Sequence, residues 1–398
     1  MTTIQVPVQL SEPFRAHDPE VLADPYAALA DLRELGDCVI DPGTGRWFLL
    51  GFDHVVAGLS QIVRGNPSGP DRRPQFPANP FAADGPPHAG PRRIIVPTFT
   101  NRAVGRFRDR AQAIVDEVLD SKASGGELRV VDELGFWLPY TLTCDILGVP
   151  DVDNRDDLRT WTWKIQQLLD PFLSEAELQE CTAAAGHLAE HLREVLAWKS
   201  HNRGDDLLTK IIEASEDGSV LLPEQVLSYV HTIYLAGMHT TVNQTALTLL
   251  AFMRDREQWD LLRSDPSLLE NAVEEALRYE PTAQYMRRTT ETEIDICGTV
   301  IPPDTDVLCW IASANRDEKR WGDTAATFDI RRSDARTHVA FGFGPHVCVG
   351  SWLARLELQI VIRSILERFP NTTMPDQDIV WESSCLRGPE ELVLELRP

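Results

Sequence analysis

The chain has 398 residues, 43% of them hydrophobic, and carries a net charge of −23 at pH 7 with a pI near 4.8. Such a length allows a large core, while the excess of acid argues against nucleic acid or an anionic membrane as a partner. No apolar run approaches the roughly 18 residues of a membrane span, Met1 to Pro13 lacks the basic region of a signal peptide, and the seven scattered cysteines fit a reducing cytoplasm better than a disulfide framework.

No internal repeat is evident. Residues 1–24 read as an N-terminal extension. Pro25 to Leu35 reads as a helix after Asp24, which is placed to cap it. Cys38 to Ile40 and Trp47 to Leu50 flank Asp41-Pro42-Gly43-Thr44-Gly45, a hairpin signal. From Gly65 to Pro91 proline and glycine are frequent and periodicity is lost, which predicts a long loop. Arg102 to Leu119 has helical spacing, and Arg92, Arg93, Arg102, Arg106, Arg108 and Arg110 form a basic run in an acidic chain. An apolar segment runs from Gly126 to Pro150, and amphipathic stretches follow at about Asp157 to Leu169 and Glu175 to Trp198.

Pro223 to Met253 is the longest helical pattern, and Pro223 and Glu224 suit its start. Its middle reads Leu235-Ala236-Gly237-Met238-His239-Thr240-Thr241. Glycine inside a helix costs about 1 kcal/mol relative to alanine. Gly237 therefore marks either close packing against another helix or a local opening. Asn271 to Tyr279 is helical, with Glu275 and Arg278 three apart on one face. Taken alone, that pair reads as a weak surface ion pair. Ile294 to Ile296 and Thr299 to Ile301 form a hairpin turning at Cys297-Gly298, and a last strand covers Leu392 to Leu396.

The most informative stretch is Phe341-Gly342-Phe343-Gly344-Pro345-His346-Val347-Cys348-Val349-Gly350. Gly342, Gly344 and Pro345 require a tight turn. Leu353, Leu356 and Ile360 then recur at helical spacing, which predicts a helix opening near Val349. Cys348 is thereby placed at a helix N-terminus, where a thiolate is favoured. Zinc needs about four ligands, and His346 and Cys348 supply two. A phosphate loop fails because Val347 stands where its third glycine belongs. A nucleophile paired with adjacent His346 is disfavoured by their closeness in sequence. An inert buried cysteine and a single axial ligand to iron remain.

This phrase resembles the heme-binding signature of the cytochrome P-450 family, F-x-x-G-x-H/R-x-C-x-G, with Phe341, Gly344, His346, Cys348 and Gly350 in register. Further stretches resemble the family in the same order along the chain. Asp84 to Arg93 is similar to D-P-P-x-H-x-x-x-R-R, with Gly90 where arginine is common and the prolines shifted by one. Ala236 to Thr240 is similar to the oxygen-binding motif A/G-G-x-D/E-T, with His239 in the acid's place. Glu275 to Arg278 followed by Tyr279-Glu280-Pro281 resembles the ending of the family's K helix. Ala314-Asn315-Arg316-Asp317 also matches.

The resemblance implies a mainly α fold with a smaller β-rich region in a single domain, here residues 1–398. Residues 223–253 would form the central oxygen-binding helix and 341–350 the cysteine-ligand loop. The implied cofactor is heme b (iron protoporphyrin IX) with Cys348 on the iron. His88, Arg92, Arg288 and His338 would hold its propionates, and Ala236 and Gly237 would let the central helix approach it. Thr240 would hydrogen-bond dioxygen or its ordered water, with His239 either a proton relay or a packing and substrate contact. Glu275, Arg278 and Arg332 would form a buried structural cluster. Gln284, Tyr285 and Met286 would line the substrate pocket, together with the loop before Asp84, the Asp157–Trp198 stretches and the turn near Glu391.

The implied function is oxidation of a small natural-product molecule by dioxygen and two electrons from a ferredoxin-type donor with its reductase. Oxidative C–C or C–N coupling of aromatic substrates, such as tryptophan-containing cyclic dipeptides, is the alternative within enzymes. A non-catalytic heme-binding sensor is the alternative outside them, and no output domain is visible for it.

Overall fold

The computed structural model describes residues 7–62, 81, 83–150, 155–170, 173–218 and 220–398. Within them the chain gathers into two compact units. One comprises the residues up to 62 with Leu247–Cys348 and Ile379–Glu390; the other comprises the described residues 81–246 with Val349–Asp378 and Glu391–Pro398.

The first unit holds a five-stranded sheet in the order Val8–Gln9, Cys38–Ile40, Trp47–Leu49, Asp306–Cys309, Met286–Thr289. Cys38–Ile40 and Trp47–Leu49 pair antiparallel, as the hairpin signal predicts, and Trp47–Leu49 runs parallel to Asp306–Cys309. The strands Cys38–Ile40, Trp47–Leu49 and Asp306–Cys309 bury two or three successive residues each, so side chains on both faces of the sheet join one core. Phe48, Leu49, Val307, Leu308 and Trp310 are fully buried in it, beneath Leu29 and Leu32 of the helix Pro25–Leu35 and Val55 and Leu59 of the helix Phe52–Gln61. Asp24 caps the first of these helices by accepting from the Tyr26 backbone N–H. The hairpin Ile294–Ile296/Thr299–Ile301 forms with its turn at Cys297 and Gly298, both at positive φ. The expected N-terminal extension is structured in part, for Val8–Gln9 adds to the sheet and Pro19–Ala23 is a helical turn.

The second unit is built of helices. Its one strand pair among the described residues joins Gly126–Arg129 to Val393–Leu396. A π-helical turn, Val130–Gly135, leads into the helix Trp137–Leu147, followed by Arg155–Gln166, Glu175–His201 and Leu207–Asp217. Ser174 and Glu177 form a reciprocal capping box at the start of Glu175–His201. The helix Ser351–Arg368 lies against Arg108–Asp120, tied by Gln112 to Ser364 and by Arg368 to Asp120. Pro223–Arg254 is one continuous helix, with the second unit taking its residues through Ala246.

Several boundaries differ from those read in the sequence. Residues 65–80 and 82 of the expected loop lie outside the described residues, but its end is a helix, Pro86–Ile95. Proline composition hid this, because Pro86 and Pro87 sit in the first turn, where a missing N–H costs nothing. The single helix expected from Arg102 is broken into Asn101–Val104, a 3₁₀ turn at Gly105–Phe107 and Arg108–Asp120. The helix after the cysteine starts at Ser351 instead of Val349.

A buried cation closes the second unit. Lys199 is 3% exposed, donates to the Gly148 carbonyl at 2.8 Å and pairs with Asp206. Asp206 also caps the helix Leu207–Asp217 by accepting from Thr209 N–H. Asp206→Ala strands a buried ammonium and removes a cap, and should cost about 3–5 kcal/mol. Arg193→Ala breaks only the exposed pair with Glu190, and should cost about 0–1 kcal/mol. Urea unfolding of both variants checks the ranking.

Candidate heme-thiolate site

The cysteine loop is a turn held by its own backbone. Gly342 and Gly344 have φ of 73° and 75°, a region that side chains resist. At Gly344 a Cβ would also lie 2.9 Å from the Ser60 Cα, so the close approach of the Phe52–Gln61 helix demands glycine as well. Cys348 N–H donates to the Phe341 carbonyl at 2.9 Å and Val347 N–H to that of Gly344 at 3.1 Å, closing the loop around the 3₁₀ turn Gly344–His346. The result presents Cys348 on an exposed position. The other cysteines, Cys297 excepted, are buried. Gly350 serves as N-cap of the following helix.

The loop is anchored in the first unit by buried charge. Glu275 and Arg278 are fully buried and meet in a bidentate pair at 2.7 and 2.8 Å. Arg332 adds a contact to Glu275 at 3.2 Å, and the Asp329 N–H donates to the same oxygen at 3.0 Å. The remaining N–H groups of the arginines go to the carbonyls of Asn315, Ala325, Thr327 and Thr324. Every partner is thus satisfied, the condition under which a buried ion pair is tolerable. Asn315 passes the order on, for its Oδ1 accepts from Val339 N–H at 2.9 Å, at the entry to the cysteine loop.

His338, one residue earlier, is buried with both ring nitrogens engaged. Nδ1 accepts from Ala340 N–H at 3.0 Å, so Nε2 carries the proton shared with Glu274 at 3.1 Å. A propionate would have to compete with Glu274 for it. Arg288, on the strand Met286–Thr289, is 4% exposed and donates to the Arg287 carbonyl. Gln284 and Tyr285 are 1% exposed. Gln284 donates to the Pro281 carbonyl, while the Tyr285 hydroxyl meets Ser384 and its ring lies 4.6 Å from Trp310 in the sheet core. Met286 is half-buried against that core.

The second unit carries His88 and Arg92 on the helix Pro86–Ile95, the first buried and the second half-buried. It also carries the middle of the long helix. There Ala236 is exposed and Thr240 half-buried, although residues 241–253 are buried throughout. Thr240 donates its hydroxyl to the Ala236 carbonyl at 3.0 Å, leaving its oxygen free to accept. Gly237 faces elsewhere: a Cβ there would sit 2.6 Å from the Thr143 Oγ1. Close helix packing is therefore its role in the chain.

His239 lies on another face of the same turn. It is 8% exposed, with its ring edge-on to Trp163 at 4.2 Å. Burial, with the Arg159 cation adding to it, pushes its pKa down to about 3. Arg159 is itself paired with Asp132, which Arg129 also holds. Val131, Thr162 and Met238 help to line a small cavity here.

Sequence reading missed Arg159 and Trp163 as neighbours of His239, and no spacing could have joined two distant helices. It also missed Asn243, Gln244, Thr245 and Thr248, polar groups buried in the long helix. A second charge cluster went unseen, in which Glu280 takes the Tyr26 hydroxyl at 3.0 Å and Arg387 at 2.7 Å, with Arg316 over the Tyr26 ring.

A heme needs one axial donor, cations for its carboxylates and small side chains where a helix comes near. An exposed thiol on a rigid loop, the cations Arg92 and Arg288 with His88, and the open helix position at Ala236 are each of the required chemistry. A sequence model described as cytochrome P450 matches residues 64–384. Cytochrome P450 107B1 of Saccharopolyspora erythraea is 40% identical over 88% of this chain and 89% of its own length. The 6-deoxyerythronolide B hydroxylase of the same organism is 32% identical over 94% and 96%. In structure the chain is similar to CxnD, a cytochrome P450 enzyme for C–S bond formation in chuangxinmycin biosynthesis, with a TM-score of 0.85, 29% identity and coverage of 94% and 96%. The cysteine phrase, the helical architecture and these likenesses agree: the chain belongs to the cytochrome P450 family of heme-dependent monooxygenases.

Proposed function

We propose that this enzyme oxidises a small natural-product molecule in the cytoplasm, on heme b ligated by Cys348, with electrons from a ferredoxin-type donor and its reductase. The observation that carries the reading is the cysteine loop, whose glycines and backbone hydrogen bonds leave one thiol projecting. The hydroxylase relative supports the substrate class. The exposed Arg102, Arg106 and Arg108 supply a basic run in an acidic chain, which suits an acidic donor, and its electron delivery should weaken as salt rises. No described helix is long and apolar enough to cross a membrane.

When bound, heme supplies activation of dioxygen. This chain's residues do the rest. Arg92, Arg288 and His88 would orient the carboxylates, and His338 would join them where a propionate displaces Glu274 from its Nε2. Ala236 keeps side-chain bulk away from the cofactor. Thr240 donates to its own helix and accepts on its oxygen, which lets it hold a water or a proton in transit. His239 has no such part, since a neutral imidazole against Trp163 packs and contacts substrate. Oxidative coupling is the second reading, favoured by this loss of the family's acid and by the bond-forming neighbour CxnD.

Reduced protein under carbon monoxide should show the strongly red-shifted Soret band of a thiolate ligand, and Cys348→Ala should lose it. A histidine-like band in the unaltered protein would contradict the assignment. Product mass then separates the two readings, as hydroxylation adds an oxygen atom and coupling removes hydrogen.

His239 gives a pH test. Its folded pKa is depressed, so the unfolded chain binds the proton more readily and stability falls as pH drops below the ordinary value near 6.5. By pH 5 the share of this loss due to His239 should be about 2 kcal/mol, and His239→Leu should remove that share while the buried His231 keeps its own. Arg159 and Trp163 face the imidazole. Product formed per oxygen consumed should show no inflection near the histidine pKa of about 6.5. An inflection that vanishes in His239→Leu would restore the proton relay.

A further inference from the structure

A close approach of the long helix to Trp137–Leu147, at Gly237 and Thr143, brings together groups that the oxygen chemistry leaves unused. Tyr234 stands one turn before Gly237, and Cys144 adjoins Thr143. Tyr140 lies one turn earlier on the Cys144 face. All three are buried, at 2%, 6% and 1% exposed. The Tyr140 hydroxyl is buried with no hydrogen-bond partner among the described residues, and the Tyr234 hydroxyl and the Cys144 thiol lie close enough to couple to it electrostatically. Burial raises both phenols and pushes the thiol up to about 11, so each keeps its proton. They line one small cavity with His191 and Val230. It has room for about one water. Burial lowers the His191 pKa, which leaves its imidazole a neutral base.

A path to the surface continues from Tyr140. Its ring stacks on Phe136 at 5.4 Å and meets Trp137 edge-on at 6.3 Å. Trp137 is half-buried, with the Arg155 guanidinium 5.2 Å from its ring. A cation there favours loss of the indole proton once the ring is oxidised. Phenol, thiol and indole are the readily oxidised side chains, and here they are contiguous from a helix of the oxygen site to the solvent.

We propose that Tyr234, Cys144, Tyr140 and Trp137 form an oxidation relay that carries a stray one-electron oxidising equivalent out of the protein. The inference rests on the heme reading above, because oxidants made from dioxygen or peroxide at the cofactor supply the equivalent. Tyr234 yields one electron to the oxidant and its phenolic proton, through Cys144 and the enclosed water, to His191. Tyr140 refills Tyr234, whose proton returns from His191 while that of Tyr140 takes its place there, and Trp137 refills Tyr140, whose proton returns in the same way. The oxidised indole releases its proton to water, then takes an electron and a proton from a solution reductant such as ascorbate or a thiol. The net step moves one electron from reductant to oxidant and one proton from reductant to water.

The test uses heme-loaded ferric protein whose carbon-monoxide spectrum is intact, treated with hydrogen peroxide without substrate and frozen for electron paramagnetic resonance. Wild type should give a tyrosyl radical, and Tyr234→Phe should lose most of it and bleach several-fold faster. Trp137→Phe should prolong the radical, and ascorbate should shorten it in wild type more than in Trp137→Phe. Peptide mass spectrometry should find oxidation at Cys144 or Trp137 in wild type and elsewhere in Tyr234→Phe. Equal radical yield, lifetime and bleaching across the variants would overturn the relay. An abnormal carbon-monoxide spectrum in wild type would instead overturn the heme reading.

Discussion

A carboxylate held out of water between two arginines is the constraint on which the cysteine loop depends. Glu275 cannot stay buried and charged without Arg278 and Arg332, and the arginines in turn need the carbonyls around them. Removing any partner leaves an uncompensated charge, a cost of about 3–5 kcal/mol. The cluster therefore works as a positional lock as much as a source of stability. It fixes the turns from Thr324 to Arg332 and the place of Asn315, whose side chain takes the Val339 N–H. From there the chain enters the loop with little freedom left, and glycine geometry settles where the thiol projects.

The long helix follows a different logic. It buries polar side chains along much of its second half, and its faces divide the labour within one turn. Thr240 looks to the open side at Ala236, Gly237 admits a neighbouring helix, and His239 meets Trp163. A charged group in the place of His239 would face the Arg159 cation and an indole. Neutral histidine avoids much of the desolvation that a carboxylate would suffer against Trp163, although a carboxylate would gain from Arg159. The packing of the second unit thus keeps the His239 imidazole neutral.

Much of this was legible in the residues, for physical reasons. The cysteine phrase is local: its glycines, its turn and its thiol are neighbours in sequence, so pattern reveals geometry. The hairpin at Cys297-Gly298 and the helix after Asp24 are local in the same way. The helix at Pro86 was not legible, since proline signals both a loop and a first helical turn. Gly237 showed that something comes close, without showing that it is Thr143. By spacing alone Glu275 and Arg278 looked like a surface pair, and only the family resemblance pointed to the buried cluster with Arg332, whose ring of carbonyls the fold supplies. The Glu280, Arg387 and Tyr26 cluster spans most of the chain, and no window of sequence contains it.

The lock account can be measured at the cofactor itself. Arg332→Leu and Glu275→Gln, each with helix content checked by circular dichroism, should be reduced under carbon monoxide. A folded variant in which the thiolate-type Soret band gives way to a histidine-like band is the predicted result, because the loop loses its setting while Cys348 remains. A full thiolate band in both folded variants would show that the loop holds its own geometry and that the buried cluster does not position the ligand.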